Sequence, residues 1–210
     1  MMIAARDSIL FNDGGEYWGL CLKVVDPNGS TISIAKNSSP PTISLQYSLN
    51  AATWETFAVG STVLTLAYGK RVWFKATTTN SRFASSTAAY HKFVFSGNVA
   101  ASGDITSLLN GTTPLTTLAS GNNYAFASLF RESKLVEAPD LPLVTINSTQ
   151  IYTSMFNGCA SLTKVAKFPA SVGAGSYPLG SSMYNGCASL TDVDMSSTTI
   201  TTSNSSGISL

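Results

Sequence analysis

The chain has 210 residues, of which only 11% are charged, and its formal net charge is +1. Because the sequence has neither a basic stripe to hold phosphates nor an acidic tail, we expect no nucleic-acid partner. The length allows two small domains with separate cores, and a polar composition dominated by Ser, Thr and Asn favours a β-rich surface protein over a helical cytosolic enzyme.

The first half of the chain is predicted to form short strands separated by turns. Asp26–Gly29 is a strong turn signal before the alternating segment Thr31–Ala35, and the breaker Ser39–Pro41 precedes a strand at Ile43–Tyr47. Closely spaced strands favour an antiparallel β-sandwich, and Tyr68–Lys70 is typical of a short hairpin connection. Four further segments are β-branched or aromatic and are also predicted strands: Trp54–Val59, Thr62–Ala67, Val72–Ala76 and His91–Phe95.

A small-residue stretch, Gly97–Gly103, follows the last of these strands and is the predicted domain boundary. The prediction is a β-sandwich domain over residues 1–103 and a repeat domain over residues 104–210, which ends in a Ser/Thr tail. Asp104 is a suitable N-cap for one helical turn over Asp104–Leu109. That turn would close the repeat domain at its start.

The repeat itself is the strongest signal in the sequence. Ser154–Val165 recurs as Ser182–Val193 with ten of twelve positions identical and an offset of 28 residues. A third, looser copy begins at Leu129–Phe130. A period of about 20 to 50 residues predicts a solenoid, in which each unit packs only against its neighbours. Each unit is expected to contain a short helical turn stopped by Gly, followed by a strand.

Residues 122–195 resemble the BspA-type leucine-rich repeats of surface proteins from gut and oral bacteria and their phages. The resemblance is carried by the Met-Phe-x-x-Cys-x-Ser-Leu pattern at Met155–Leu162. The first half, with Leu45–Ser48, Trp54 and Gly69–Val72, is similar to the segment that often precedes such repeats. The resemblance implies a β-strand solenoid engaged in adhesion or recognition, with no family catalytic residue to carry over.

One row of exposed residues on the repeat strands is the first candidate site. Glu137, Lys164 and Asp192 are predicted to lie in this row, and Ala166 and Asp194 in the next outward-facing row. The alternating charges suit either a mixed-charge contact surface or a solvated ladder of weak ion pairs. Asp192 and Asp194 could instead hold Ca²⁺ or flank a scissile bond, but no third acid is nearby in sequence, and a Ca²⁺ site takes at least six oxygens.

Histidine and cysteine offer little for metal or nucleophilic chemistry. His91 is the only histidine and is interpreted as an ordinary strand residue. Cys159 and Cys187 occupy the same repeat position and are predicted to point inward as stacked free thiols, since three cysteines do not make a disulfide framework. We therefore expect no metal site and no cofactor.

Aromatic residues provide the alternative site. Trp54 and Trp73 could form a platform for sugar rings, although aromatic residues of a β-sandwich more often fill its core. This pattern supports a second hypothesis, a carbohydrate-binding module. A third hypothesis, a hydrolase that uses Asp192 and Asp194, depends on one short acidic pattern.

Taken together, the sequence predicts a mainly β, non-enzymatic recognition or adhesion protein. Its expected partner is a protein or glycan on a host or other cell surface, and its expected setting is a bacterial surface or a phage tail or head fibre. No apolar run approaches the roughly 18 residues of a membrane helix, and the start of the chain lacks the apolar stretch of a secretion signal. We therefore expect neither membrane insertion nor an export signal in this chain.

The end of the chain carries a further expectation. Thr199–Leu210 stands where most of a fourth repeat would fall, so the last strand, near Val193, would present unpaired N–H and C=O groups. The Ser/Thr tail is predicted to cap this edge, or a second copy or partner to pair with it. Homo-oligomerisation through the edge is the expected result where the tail does not cover it.

Overall fold

The computed structural model describes residues 17–175, 180–192 and 199–202. This part of the chain is mainly β, with thirteen strands and a single 3-10 helix at Ile105–Leu108. The strands, in chain order, are β1 (Cys21–Val24), β2 (Ser30–Asn37), β3 (Leu45–Ser48), β4 (Glu55–Phe57), β5 (Val63–Leu66), β6 (Arg71–Ala76), β7 (Tyr90–Phe95), β8 (Val99–Ser102), β9 (Thr117–Leu118), β10 (Leu135–Glu137), β11 (Thr145–Ile146), β12 (Ser171–Gly175) and β13 (Thr199–Thr202).

Two sheets contain the strands of the first half. One has six strands in the order β10-β8-β1-β6-β3-β4, and the other has three in the order β5-β2-β7. All neighbours are antiparallel except β8 and β10. The alternation in β6 places Val72 and Phe74 on a fully buried face, and the Phe74 ring meets Phe93 of β7 at 5.2 Å. The two sheets therefore share an apolar core.

Two strands were not predicted, and one predicted connection is wrong. β1 and β8 pair with each other, and β8 lies within the stretch expected to be a boundary. Ala100 and Ala101 give β8 little of the β-branched or aromatic character on which strand prediction depends. The segment at Gly69 is not a hairpin, because β5 pairs with β2 whereas β6 pairs with β1 and β3. Gly69, with φ of +79°, instead carries the chain from one sheet to the other.

In the second half, a parallel sheet follows the repeat period. Its order is β13-β12-β11-β9, and its register partners are Thr117, Thr145, Gly173 and Thr201. Each partner follows the previous one by 28 residues, as positions 117, 145, 173 and 201 show. The period therefore extends beyond the copies seen in the sequence. β13, from the predicted Ser/Thr tail, pairs with β12, whereas Val193 lies outside the described residues.

The predicted helical turns of the repeats are instead series of β-turns. In these series the amides alternate between two kinds of partner: Met155 N donates to Tyr152 O within a turn, and Phe156 N donates to Met183 O of the next unit at 3.0 Å. A helix would use every amide internally, so bonding between units excludes it. Ser154 and Ser182 adopt φ of 53°, which these turns require.

A ladder of stacked aromatic rings runs through the core. Phe93, Phe130, Phe156 and Tyr184 stack in that order, with ring centroids 5.3, 5.8 and 5.4 Å apart and interplanar angles of 8 to 14°. Because the ladder starts on β7 in the first half and continues through the repeats, the buried core is continuous across residues 103 and 104. The domain boundary at that point stays a prediction.

The 3-10 helix begins as expected from local chemistry. The Asp104 carboxylate accepts a hydrogen bond from Thr106 N at 2.6 Å, which confirms Asp104 as the N-cap. Among the described residues, no helix combines the length and the hydropathy that crossing a membrane requires.

Candidate binding surface

The outer face of the six-stranded sheet is the first candidate surface. β6 alternates between buried and half-buried residues, so Arg71, Trp73 and Lys75 point away from the core. The three Trp residues of the chain are half-buried, and none of them lies in the fully buried core. Trp73 therefore stands on the outer face between two cationic side chains of its own strand.

Register brings further residues of the neighbouring strands to this face. Lys23 of β1 lies directly opposite Arg71, and Cys21 lies opposite Trp73. On the other side of β1, Ala100 pairs with Lys23 and Ser102 with Cys21. Trp73 is thus bordered by small residues, and two cations face each other one row away.

Trp54 contributes to the same face in a different way from Trp73. The Lys75 ammonium lies 4.1 Å from the centroid of the Trp54 ring, and the Tyr17 ring meets Trp54 edge-on at 4.8 Å. A cation–π contact of this kind occupies one face of the indole. Trp73 has no such ring or cation partner within the part of the chain that the structure describes. The two predicted platform residues are therefore not equivalent.

The exposed repeat row continues the same backbone ladder. Val136 O accepts a hydrogen bond from Thr163 N at 3.2 Å, and Thr163 O accepts one from Asp192 N at 3.1 Å. Lys164 and Asp192 are register partners, with Nζ and Oδ2 3.9 Å apart and side chains 68% and 51% exposed. An ion pair this exposed contributes about 0–1 kcal/mol.

The other predicted members of the exposed rows have different positions. Glu137 is exposed at the end of β10, where its register partner is Ala100 of β8. Ala166, expected to face outward, is 3% exposed because its amide donates to the buried Tyr184 hydroxyl at 2.9 Å. Asp194 lies outside the described residues, and so does any pairing of it with Asp192.

His91 is a buried strand residue. It is 2% exposed, and its Nε2 lies 2.8 Å from Pro41 O, a distance at which a protonated Nε2 donates to the carbonyl. Burial lowers the pKa of His91, and Nδ1 has no hydrogen-bond partner. The imidazole is therefore held in its neutral form inside the sheet, away from the outer face.

The repeat cysteines form the predicted inward ladder of free thiols. Cys159 Sγ donates to Phe130 O at 2.9 Å, and Cys187 Sγ donates to Phe156 O at 3.1 Å. Burial raises the pKa of the Cys159 thiol to about 12. Such thiols fix neighbouring units to each other and are poor nucleophiles at neutral pH. In the described ranges no three His, Cys, Asp or Glu side chains are grouped to hold a metal ion.

A groove at one end of the three-stranded sheet was also considered. It has a volume of about 340 Å³ and is lined by Asn28, Gly29, Ser30, Thr31, Thr65, Leu66, Ala67 and Ser96. Its lining has no carboxylate, imidazole, amine or thiol, and so it offers no general acid or base.

Sequence reasoning named Trp73 but missed the cations around it. Arg71 and Lys75 stand two residues to either side of Trp73, so the alternation of β6 was the signal that could have revealed them. Lys23 could not be found in this way, because β1 was not recognised as a strand.

The chain was also compared with known proteins. No family model, no curated protein and no solved structure matches it.

Proposed function

We propose that this chain is a non-enzymatic recognition or adhesion protein that binds a protein or glycan on a host or other cell surface. In this proposal the first half is a β-sandwich and the second half is a short solenoid of 28-residue units, related to the BspA-type leucine-rich repeats. The 28-residue register of β9, β11, β12 and β13 and the stacked ring ladder support the solenoid. A bacterial surface or a phage fibre is its proposed setting.

The observation that carries the proposal is the continuous exposed ladder along the repeats. Hydrogen bonds join Val136, Thr163 and Asp192 in series, and Lys164 and Asp192 project from it with more than half of each side chain exposed. Side chains on adjacent parallel strands recur every 4.8 Å or so, which makes a stiff and extended surface. Such a surface can contact a partner over a large area without a cleft.

The test is binding of the purified, fluorescently labelled chain to a panel of bacterial and animal cells and to arrays of their surface proteins and glycans. For a target found in this way, Lys164→Glu should weaken binding about tenfold or more, because it removes a contact and places two acids side by side. Lys70→Glu is the matched control, since Lys70 is also exposed but lies on the turn at Gly69. Equal affinity of both variants would exclude the repeat row as the contact surface, and steady release of cleaved products would identify an enzyme.

A second candidate function is favoured by the outward position of Trp73. If the chain is a carbohydrate-binding module, Trp73→Ala should lose glycan binding on an array. The covered ring of Trp54 predicts a smaller effect for Trp54→Ala. Retention of binding in both variants, or no glycan binding by the unmodified chain, would remove this candidate.

A further inference from the structure

We propose that the outer face around Trp73 binds an anionic saccharide, with a sugar ring stacked on the indole and its carboxylate or sulfate held by Lys23 and Arg71. This inference rests on the proposed recognition function and deepens it by naming the chemical class of the ligand.

The first argument is the charge pattern of the sheet. Lys23 and Arg71 are register partners on neighbouring antiparallel strands, where opposed side chains start about 4.5–5.5 Å apart. Like charges in this arrangement repel each other, and an anion that binds both relieves the repulsion. Within the described ranges Lys23 forms no salt bridge, whereas Lys92 lies 2.8 Å from Glu132.

The acid that stands closest in register does not neutralise the pair. Glu137 shares the row, but Ala100 of β8 stands between Glu137 and Lys23. Two strand spacings of about 4.8 Å separate Glu137 from Lys23, which is beyond salt-bridge distance for their backbones. The charge of the face therefore changes from negative at β10 to positive at β1 and β6, and an anionic ligand would be directed to the Trp73 side.

The second argument is the space beside Trp73. Cys21, Ser102 and Ser48 lie in the Trp73 row of the neighbouring strands, and all three are small. An indole that rises above small neighbours can offer its ring to the apolar C–H face of a sugar. Because Lys75 instead covers Trp54, the stacking function falls to Trp73 alone.

The same features disfavour a single-stranded nucleic acid. Proteins that bind such strands combine a long basic groove with several stacking rings for successive bases. Here a single uncovered ring stands beside one pair of opposed cations, and the whole chain has a net charge of only +1. One charged sugar unit matches this footprint better than a row of phosphates.

The experiment is titration calorimetry of the full chain at low salt with four probes: a galacturonate hexamer, a heparin hexasaccharide, neutral maltohexaose and a dT12 oligonucleotide. We expect binding of the carboxylated or the sulfated probe, and the pair tells the two anion types apart. Maltohexaose should bind about tenfold more weakly or worse, and the affinity for the anionic probe should fall as salt is added.

Variants locate the site. Lys23→Gln and Trp73→Ala should each weaken binding of the anionic probe about tenfold or more, and Trp54→Ala should stay within about twofold. Glu137→Gln should tighten binding slightly, because it removes the negative charge from the row. Lys70→Gln is the control for loss of one exposed cation. Circular dichroism and urea midpoints establish that each variant is folded, and Lys23→Gln keeps the test valid if Trp73→Ala is not.

Equal binding of neutral and anionic probes, tighter binding of dT12, or an unchanged affinity of folded Lys23→Gln would each overturn the inference. If no saccharide binds but the chain still attaches to cells, this inference is wrong and the proposed recognition function stands. If the anionic probe binds as expected but no surface is recognised, the inference stands and the proposed function is wrong.

Discussion

Removal of the central ring of the aromatic ladder is the sharpest test of how the repeats are held together. Phe156 is completely buried, and its ring is stacked between Phe130 at 5.8 Å and Tyr184 at 5.4 Å, with interplanar angles of 8° and 14°. The variant Phe156→Ala loses the buried ring and both stacked pairs. Truncation of a buried Phe costs about 3–5 kcal/mol, which is a large part of the roughly 5–15 kcal/mol that keeps a typical domain folded.

The contribution of stacking can be separated from that of burial. Phe156→Leu keeps most of the apolar volume but removes two aromatic pairs, each worth about 0.5–1.5 kcal/mol beyond its buried area. We therefore expect a loss of about 1–3 kcal/mol for Leu, clearly smaller than the loss for Ala. Tyr68→Ala is the control, because Tyr68 is 64% exposed and should change stability by less than about 0.5 kcal/mol.

The assay is urea unfolding followed by circular dichroism, with the slope of the transition compared between variants. If Phe156→Ala costs less than about 0.5 kcal/mol, the ring is not buried between the neighbouring units. If Phe156→Leu is as costly as Phe156→Ala, ring stacking rather than burial dominates and the division made above is wrong.

Three further predictions concern packing, pH and thiol reactivity. Gly180→Ala should cost about 1–3 kcal/mol in urea unfolding, because a Cβ there would lie 2.6 Å from the backbone of Tyr152. Stability should fall as the pH drops below about 6.5, the His model value, and level off below the lowered folded pKa of His91, because the unfolded chain takes up a proton that the buried imidazole resists. Iodoacetamide at pH 8 should modify Cys159 far more slowly in the native protein than in urea, as mass spectrometry of the peptides would reveal, because burial raises its pKa to about 12.

Each of these has a matched control. Gly173→Ala should be nearly neutral, because the nearest atom to its added Cβ is Val144 O at 3.6 Å, and an equal cost at both glycines would contradict the packing argument. His91→Gln should remove the loss of stability below pH 6.5, and an unchanged pH profile would assign that loss to other groups. Burial raises the pKa of Asp104 and Asp140, so these carboxyls act in the opposite sense and stabilise the fold as the pH falls through their range. Equal modification rates for Cys159 in the native and unfolded chains would contradict its burial.

Much of the local structure could be predicted from the sequence. Thr31–Ala35 lies within β2 and Val72–Ala76 within β6, because a strand with one buried face imposes a period of two on its side chains. The Asp104 cap depends only on residues next to it, and it is present. The repeat period is also a property of the sequence, since identical segments 28 residues apart place their backbones in register in the parallel sheet.

What only the tertiary structure decided is how segments distant in the chain pair with one another. The opposition of Lys23 to Arg71 requires β1, whose short apolar sequence does not distinguish a strand from other buried segments. The repeat turns were predicted to be helical because the local pattern ending in Gly158 suits a helix end. Bonds from alternate amides to the next unit excluded a helix, and such bonds exist only once the units are stacked. Sequence patterns therefore report the environment of each residue along its own segment, whereas register between strands, which creates the outer face around Trp73, is set by the packing of the whole chain.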